Sequence, residues 1–288
     1  MKLLTFQAFI AAVLVCAASP STQASDFQSP RTAALGGAGH AGPLLNDAIY
    51  LNPSYASFVQ TYCLAANYYT FAGPKDLNDQ SAFHGHGTNF SLQDGRTELF
   101  QAGFGFTVRE DSKLFNFGAS KAVIDKLGVG IGGKIILPND SSRPTVRDSI
   151  FSVTGVPTPS VQLVFVVDNM IQSDEAQAMG LYREFILGTK FNVKGIFLAY
   201  FDPHVTPSLP DGSTYGYEAG LEFPFFTDIF FRLGAFRNSY VPYAGLRGNG
   251  YATGLGWIAP RISFDYGLSR LLDPISSTSH TFGMTVYF

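Results

Sequence analysis

From about residue 60 onward, apolar residues alternate with small or polar ones at a period of two. In Gly128 to Leu137, the residues Val129, Ile131, Ile135 and Leu137 share one face, and Gly128, Gly130, Gly132 and Lys134 share the other. Thr214 to Phe223 sets Tyr215, Tyr217, Ala219, Leu221 and Phe223 against Thr214, Gly216, Glu218, Gly220 and Glu222. Arg261 to Ser269 sets Ile262, Phe264, Tyr266 and Leu268 against Arg261, Ser263, Asp265, Gly267 and Ser269. The same rhythm runs through Phe100 to Val108 and Tyr251 to Trp257. Successive strand side chains point to opposite faces, so each segment has one greasy face and one small or polar face.

A soluble β-sandwich alternates in the same way. Three features favour a transmembrane β-barrel: segments of about ten residues, the span of a tilted membrane strand; apolar faces rich in Phe, Tyr and Leu; and opposite faces that mix Gly with Glu, Arg, Lys and Asp, which suits a polar lumen better than a dry core. Turn clusters at Glu110-Asp111-Ser112, Asp125-Lys126 and Pro224 to Asp228 separate the segments. Asn139 to Pro159, rich in Ser, Pro and Thr, is expected as an outward loop with a weak hairpin, and Ile171 to Met179 and Pro203 to Gly212 as further polar connections. Bacterial single-chain barrels have even strand numbers. The expected fold is therefore an all-β antiparallel barrel of fourteen strands, with twelve as the alternative.

Composition agrees. Aromatic residues make up 15% and charged residues only 14% of the chain, where about 25% charged is usual for soluble domains. A net charge of −3 gives no basic surface for nucleic acid. Met1-Lys2, the uncharged apolar run Leu3 to Ala18 and the small-residue site Thr22-Gln23-Ala24 predict a signal peptide over 1–24. An uncleaved anchor is the alternative, and Cys16 raises lipid attachment, although Val15 precedes it where a small residue is wanted. Cleavage after Ala24 leaves Cys63 as the one thiol, so no internal disulfide is expected. The last strand places Phe282, Met284, Val286 and Phe288 on one face. This resembles the C-terminal signal by which the barrel assembly machinery recognises outer-membrane proteins.

Four motifs suggest other chemistry and fail on their surroundings. GAGHAG, from Gly37 to Gly42, fits a dinucleotide fingerprint, but the residues before it are polar and broken by Pro30. The acid that would hold a ribose is replaced by Tyr62-Cys63-Leu64. GVGIGGK, from Gly128 to Lys134, has phosphate-loop spacing, but Ile135 stands where a magnesium-binding hydroxyl is needed. Its alternation assigns these glycines to an inner face that leaves room for whatever fills the lumen. His84-Gly85-His86 offers half a metal site in a loop-like stretch with no third ligand at suitable spacing. No serine lies two residues after a histidine, and Ser279-His280 point to opposite faces of a strand. No enzyme activity, metal or cofactor is expected.

Ser29 to Ser57, SPRTAALGGAGHAGPLLNDAIYLNPSYAS, resembles the N-terminal segment of the FadL-type and PorV-like outer-membrane proteins. That pattern is a Gly/Ala-rich run, an acid, a small-aromatic stretch and Asn-Pro-Ala; here it reads Leu35 to Gly39, Asp47-Ala48-Ile49-Tyr50 and Asn52-Pro53-Ser54. Gly254 to Leu271 resembles the penultimate hairpin of PorV-like members. The resemblance implies a fourteen-stranded barrel over 61–288 with residues 25–60 folded into its lumen as a plug. Gly37, Gly39, Asp47, Asn52, Pro53 and Ser54 are then the candidate ligand path. Ser54 in place of alanine and the interruption at Pro43 put carry-over of gating in question. The implied function is passive transport of small hydrophobic molecules across the outer membrane of a Gram-negative cell, with an apolar pocket beside Phe223 to Phe236. The implied partners are outer-membrane lipid, the assembly machinery and a hydrophobic ligand. The alternative is a non-transporting platform for a secretion or envelope partner.

Overall fold

The computed structural model describes residues 27–73, 84–210 and 214–288. The signal peptide expected over 1–24 lies outside them.

Fourteen strands form among the described residues: β1 Tyr62–Ala72, β2 His84–Asp94, β3 Gln101–Arg109, β4 Ser112–Ile124, β5 Leu127–Pro138, β6 Val146–Thr158 and β7 Val161–Asp168, followed by β8 Glu184–Val193, β9 Phe197–Val205, β10 Tyr215–Phe225, β11 Ile229–Val241, β12 Leu246–Ile258, β13 Ile262–Asp273 and β14 Ser277–Tyr287. Each pairs antiparallel with the next. β1 also pairs with β14, from Cys63↔Tyr287 to Ala72↔Thr278, so the sheet closes and has no edge. The two ends differ. One carries short connections such as 125–126 and 159–160; the other carries longer ones such as 139–145 and 169–183, the latter with a short helix Asp174–Ala178.

The faces fall where the alternation put them. Phe90, Phe104, Ile131, Leu187, Leu255 and Trp257 are exposed on the outside, whereas Ser91, Asn116, Ser152, Asp202 and Glu222 are buried on the inside. A soluble sheet would bury the first set and wet the second; this inversion is what a lipid-facing barrel requires.

Three local expectations are corrected. The loop expected at Asn139 to Pro159 is mostly strand β6, where buried Val146, Asp148, Ile150, Ser152 and Thr154 alternate with outward Arg147, Phe151 and Val153. Its Pro157 lies beyond the last regular pair with β7, at a register shift between Gly155 and Thr158, where no ladder donor is lost. His84-Gly85-His86 opens strand β2 instead of lying in a loop. Pro203 lies within β9, and the β8–β9 ladder accordingly skips from Ile186↔His204 to Thr189↔Phe201.

Candidate functional site: the N-terminal segment against the lumen wall

The segment before β1 touches strands all round the closed ring. Asn46 reaches Ser91 on β2, Asn52 reaches Thr154 on β6, Gly39 reaches Asp202 on β9, and Arg31 reaches Glu222 on β10. The strand partners are all buried residues of the inward face, on strands as far apart in the ring as β2 and β10.

The segment starts with a one-turn helix, Pro30–Ala34, capped by the Ser29 hydroxyl accepting from the Thr32 N–H at 3.2 Å and opened by a proline. Gly36 and Gly37 end it with φ of +69° and +94°, backbone that residues with a Cβ rarely adopt. The close approach is mutual: a Cβ on Gly234 of β11 would fall 2.2 Å from the Leu35 carbonyl carbon. Beside Phe223 to Phe236, where an apolar pocket was expected, two glycines bring backbone flush against backbone, and the cavity next to them, lined by Gly36, Glu218 and Phe236 among others, measures about 10 Å³.

Two polar groups hold this half. The Arg31 guanidinium donates to Glu222 Oε2 at 2.9 Å and to the Tyr200 hydroxyl at 2.6 Å. Glu222 also accepts from Arg232 at 2.6 Å, and Arg232 donates to Asp265 at 2.6 Å. Arg31 and Arg232 are almost wholly buried, so each depends on its carboxylate partners. Nearby, the Asp202 carboxylate accepts from the Gly39 and His40 N–H groups at 2.7 and 3.0 Å and from His40 Nδ1 at 2.9 Å. The glycine loop that mimics a dinucleotide fingerprint does cradle an anion, but the anion is a wall carboxylate.

Asp47 lies apart from both, accepting from the Ser29 and Thr32 hydroxyls at 2.7 and 3.2 Å. Burial pushes its carboxyl up to about 6 against the opposing pull of Ser29 and Arg31. Burial also acts most strongly on His40, lowering it. The hydrogen bond and charge of Asp202 outweigh that and hold the imidazole above its usual range.

The second half is neutral. Asn52 Nδ2 donates to the His40 carbonyl and to Thr154 Oγ1, both at 2.8 Å. The Ser54 hydroxyl donates to Asn52 Oδ1 at 2.6 Å, and the Ser54 N–H donates to Ser152 at 2.9 Å. Pro53 packs between Gly118 and Gly132. A Cβ on Gly130 would fall 2.2 Å from the Ser54 nitrogen, so the near-match to a phosphate loop marks where the wall admits this bend.

The six candidate residues thus fall in three places: Gly37 and Gly39 at the Glu218 and Asp202 wall, Asp47 beneath the first helix, and Asn52, Pro53 and Ser54 at β5–β6. Arg31 was not among them, although the inward acids Glu218, Glu222 and Asp265 called for a cation inside. Two cavities beside the segment measure about 80 Å³, lined by His40, Tyr50, Ile186 and Glu218 among others, and about 20 Å³, lined by Asp47, Asn67 and Ser91 among others. Phe282, Met284, Val286 and Phe288 lie on or just beyond the outward face of β14, and the Phe288 N–H donates to the Tyr62 carbonyl at 2.9 Å to close the seam.

No protein-family profile and no curated relative matches the sequence. Solved structures match the fold over nearly their whole length. A structure described as the CymD monoaromatic hydrocarbon channel has a TM-score of 0.66 at 13% identity, covering 90% of this chain and 97% of its own. The Ralstonia pickettii toluene transporter TbuX gives 0.63 at 13%, covering 92% and 99%. A Pseudomonas aeruginosa FadL homologue gives 0.61 at 11%, covering 92% and 99%. The first two are described as a channel and a transporter. The chain thus folds as a closed fourteen-stranded barrel of the architecture seen in FadL-type hydrocarbon transporters.

Proposed function

We propose that this protein is an outer-membrane barrel that passively transports small hydrophobic molecules, with residues 25–60 acting as a movable plug. The reading is supported by a segment before β1 with one charged and one neutral attachment to inward residues of the wall, in a barrel whose architectural neighbours are described as a monoaromatic hydrocarbon channel and a toluene transporter. The cavities of about 80 and 20 Å³ are small beside the roughly 150 Å³ apolar cavity that accepts benzene. On this reading a monoaromatic molecule passes the lumen when the segment shifts. The neutral attachment at Asn52 to Ser54 is the end that gives.

The test is a reversible lock. Ser54 and Thr154 hydroxyl oxygens lie 2.7 Å apart, so Ser54→Cys with Thr154→Cys, in a Cys63→Ser background, ties the bend to β6. Toluene uptake into vesicles holding the full barrel is expected to stop on oxidation and return on reduction. Uptake that ignores the lock overturns the moving plug. Absence of uptake in every state, with a stable envelope protein co-purifying, favours the platform reading, which the filled lumen also suits.

A further inference from the structure

Charge is distributed unequally between the two faces of the wall. Inside, acids and bases meet, as Glu222 and Asp265 meet Arg232. Outside, Asp94, at the short-turn end, is the one strand acid on the outward parity among the described residues; Asp148, Asp168, Glu184, Asp202, Glu218 and Glu222 all point inward. The fully charged strand residues on the outward parity toward the long-loop end are cationic: Lys113 on β4, Arg147 on β6, Arg237 on β11 and Arg270 on β13.

Arg237 and Arg270 form the most developed part of this rim. Each stands eight residues beyond the first residue of its strand, Ile229 and Ile262. The outward residues between are Phe231, Leu233 and Ala235 on one strand and Phe264, Tyr266 and Leu268 on the other. Eight strand residues cover about 26 Å, or about 20 Å of height at a tilt near 40°, which is close to the height of a barrel's apolar band. The two arginines therefore sit where lipid tails give way to headgroups.

Each arginine has a tyrosine directly opposite in the ladder, Tyr217↔Arg237 and Tyr251↔Arg270. Tyr251 in turn faces Ala235, two residues below Arg237. Two strand steps and two residues separate the arginine Cα atoms, about 12 Å by ladder spacing, and the Arg270 side chain leans toward β14, so the pair spans one stretch of the rim instead of closing on a single phosphate. The Arg270 guanidinium is held at the rim by donating to Thr278 at 2.5 Å and Ser276 at 2.7 Å. Arg237 is exposed and makes no side-chain hydrogen bond or ion pair with the described residues. A planar guanidinium with free donors matches a phosphate bidentately, and tyrosine suits the membrane–water boundary.

We propose that the face formed by Tyr217, Arg237, Tyr251 and Arg270 binds the phosphate-bearing headgroup of a lipid in the leaflet at the long-loop end. The proposal rests on the reading that the strands cross a membrane and is independent of transport. The full chain is first inserted into phosphatidylcholine vesicles; failure to insert overturns the membrane reading itself, before any anionic lipid is added.

Native mass spectrometry of the detergent-solubilised chain then compares a bisphosphorylated diglucosamine lipid with its dephosphorylated form. The phosphorylated lipid is expected to be retained about tenfold more. Arg237→Gln with Arg270→Gln is expected to remove about that tenfold preference, while Lys113→Gln with Arg147→Gln, an equal loss of charge elsewhere on the rim, changes retention by less than about twofold. Folding of each variant is checked by its heat-dependent gel mobility. Equal retention of the two lipids, an unchanged double-arginine variant, or an equal loss in the control variant overturns the site.

Discussion

Two patches fasten the N-terminal segment to the wall, and their chemistry is opposite. Against β10 to β13 the attachment is charged, with Arg31, Glu222, Arg232 and Asp265 joined in one buried chain of ion pairs beside a backbone-on-backbone glycine contact. Against β5 and β6 it is neutral, made from the amide of Asn52, the hydroxyls of Ser54, Ser152 and Thr154, and a second glycine contact. Parting a buried ion pair leaves a charge with no partner, at a cost of about 3–5 kcal/mol. A neutral hydrogen bond contributes about 1 kcal/mol net and exchanges readily with water. The contrast separates a fixed end from a releasable one within the single stretch from Arg31 to Ser54.

The largest effect is expected from breaking the fixed end. Arg31→Met keeps the length of the side chain but deprives Glu222 of one of its two cations and the Tyr200 hydroxyl of its donor. We expect a loss of about 3 kcal/mol, read as a lower urea midpoint for the barrel with an unchanged slope. Arg31→Lys recovers only part, since a lysine cannot engage Glu222 and Tyr200 together. A midpoint equal to that of the native chain would show that the charged chain is not what fixes this end.

The second effect is a pH dependence of docking. Asp47 is pushed up to about 6 from an ordinary 3.8 by burial, so its protonated form favours the docked segment. That contribution is fully present below about 4 and is lost as pH rises through 6; two pKa units correspond to about 2–3 kcal/mol. His40, held above its usual range, acts in the same direction at higher pH, with its contribution complete below about 6.5 and lost as pH rises further. A spin label at Ser57→Cys, in a Cys63→Ser background, should therefore grow more mobile from pH 4 to 8. Asp47→Asn should flatten the acidic part of that curve and leave the part above 6.5. A curve unchanged by Asp47→Asn would reassign the acidic limb to another group.

These ends also differ in how legible they are in the sequence. The barrel could be read from period two alone, because the wall differs in the same way on every strand, apolar on its outer face and small or polar on its inner one. The β5 glycines were likewise readable as space left for a lumenal occupant. What could not be read was pairing at long range: Arg31 meets Glu222 across 191 positions, and nothing local marks that residue as an anchor. β6 was missed for a related reason. Ser, Thr and Pro suggest a loop in isolation, but inward hydroxyls are what the neutral attachment needs.

A smaller effect is expected at the releasable end. Asn52→Ala removes donors to the His40 carbonyl and Thr154 and deprives the Ser54 hydroxyl of its Asn52 Oδ1 acceptor, a change of about 1–2 kcal/mol. Because the charged end persists, global unfolding should barely move, whereas the Ser57 label should become more mobile and, on the transport reading, toluene uptake should rise. A fall in the global midpoint as large as that of Arg31→Met would erase the distinction between the two ends.

The last comparison, whose Gly155 member is the smallest change of all, tests whether space, and not glycine as such, governs the contact. Gly130 and Gly155 lie on neighbouring strands near the same attachment. A Cβ at Gly130 meets the Ser54 backbone at 2.2 Å, whereas one at Gly155 meets nothing within 4 Å. The obstacle at Gly130 is main chain, which cannot swing aside as a side chain does, so Gly130→Ala should loosen the bend by about 1–3 kcal/mol. Gly155→Ala should stay within about 0.5 kcal/mol of the native chain, since Ala suits a strand at least as well as Gly and crowds no neighbour. Equal mobility of the Ser57 label in the two variants would mean that the wall yields at Gly130 and that the neutral attachment is held by its hydrogen bonds alone.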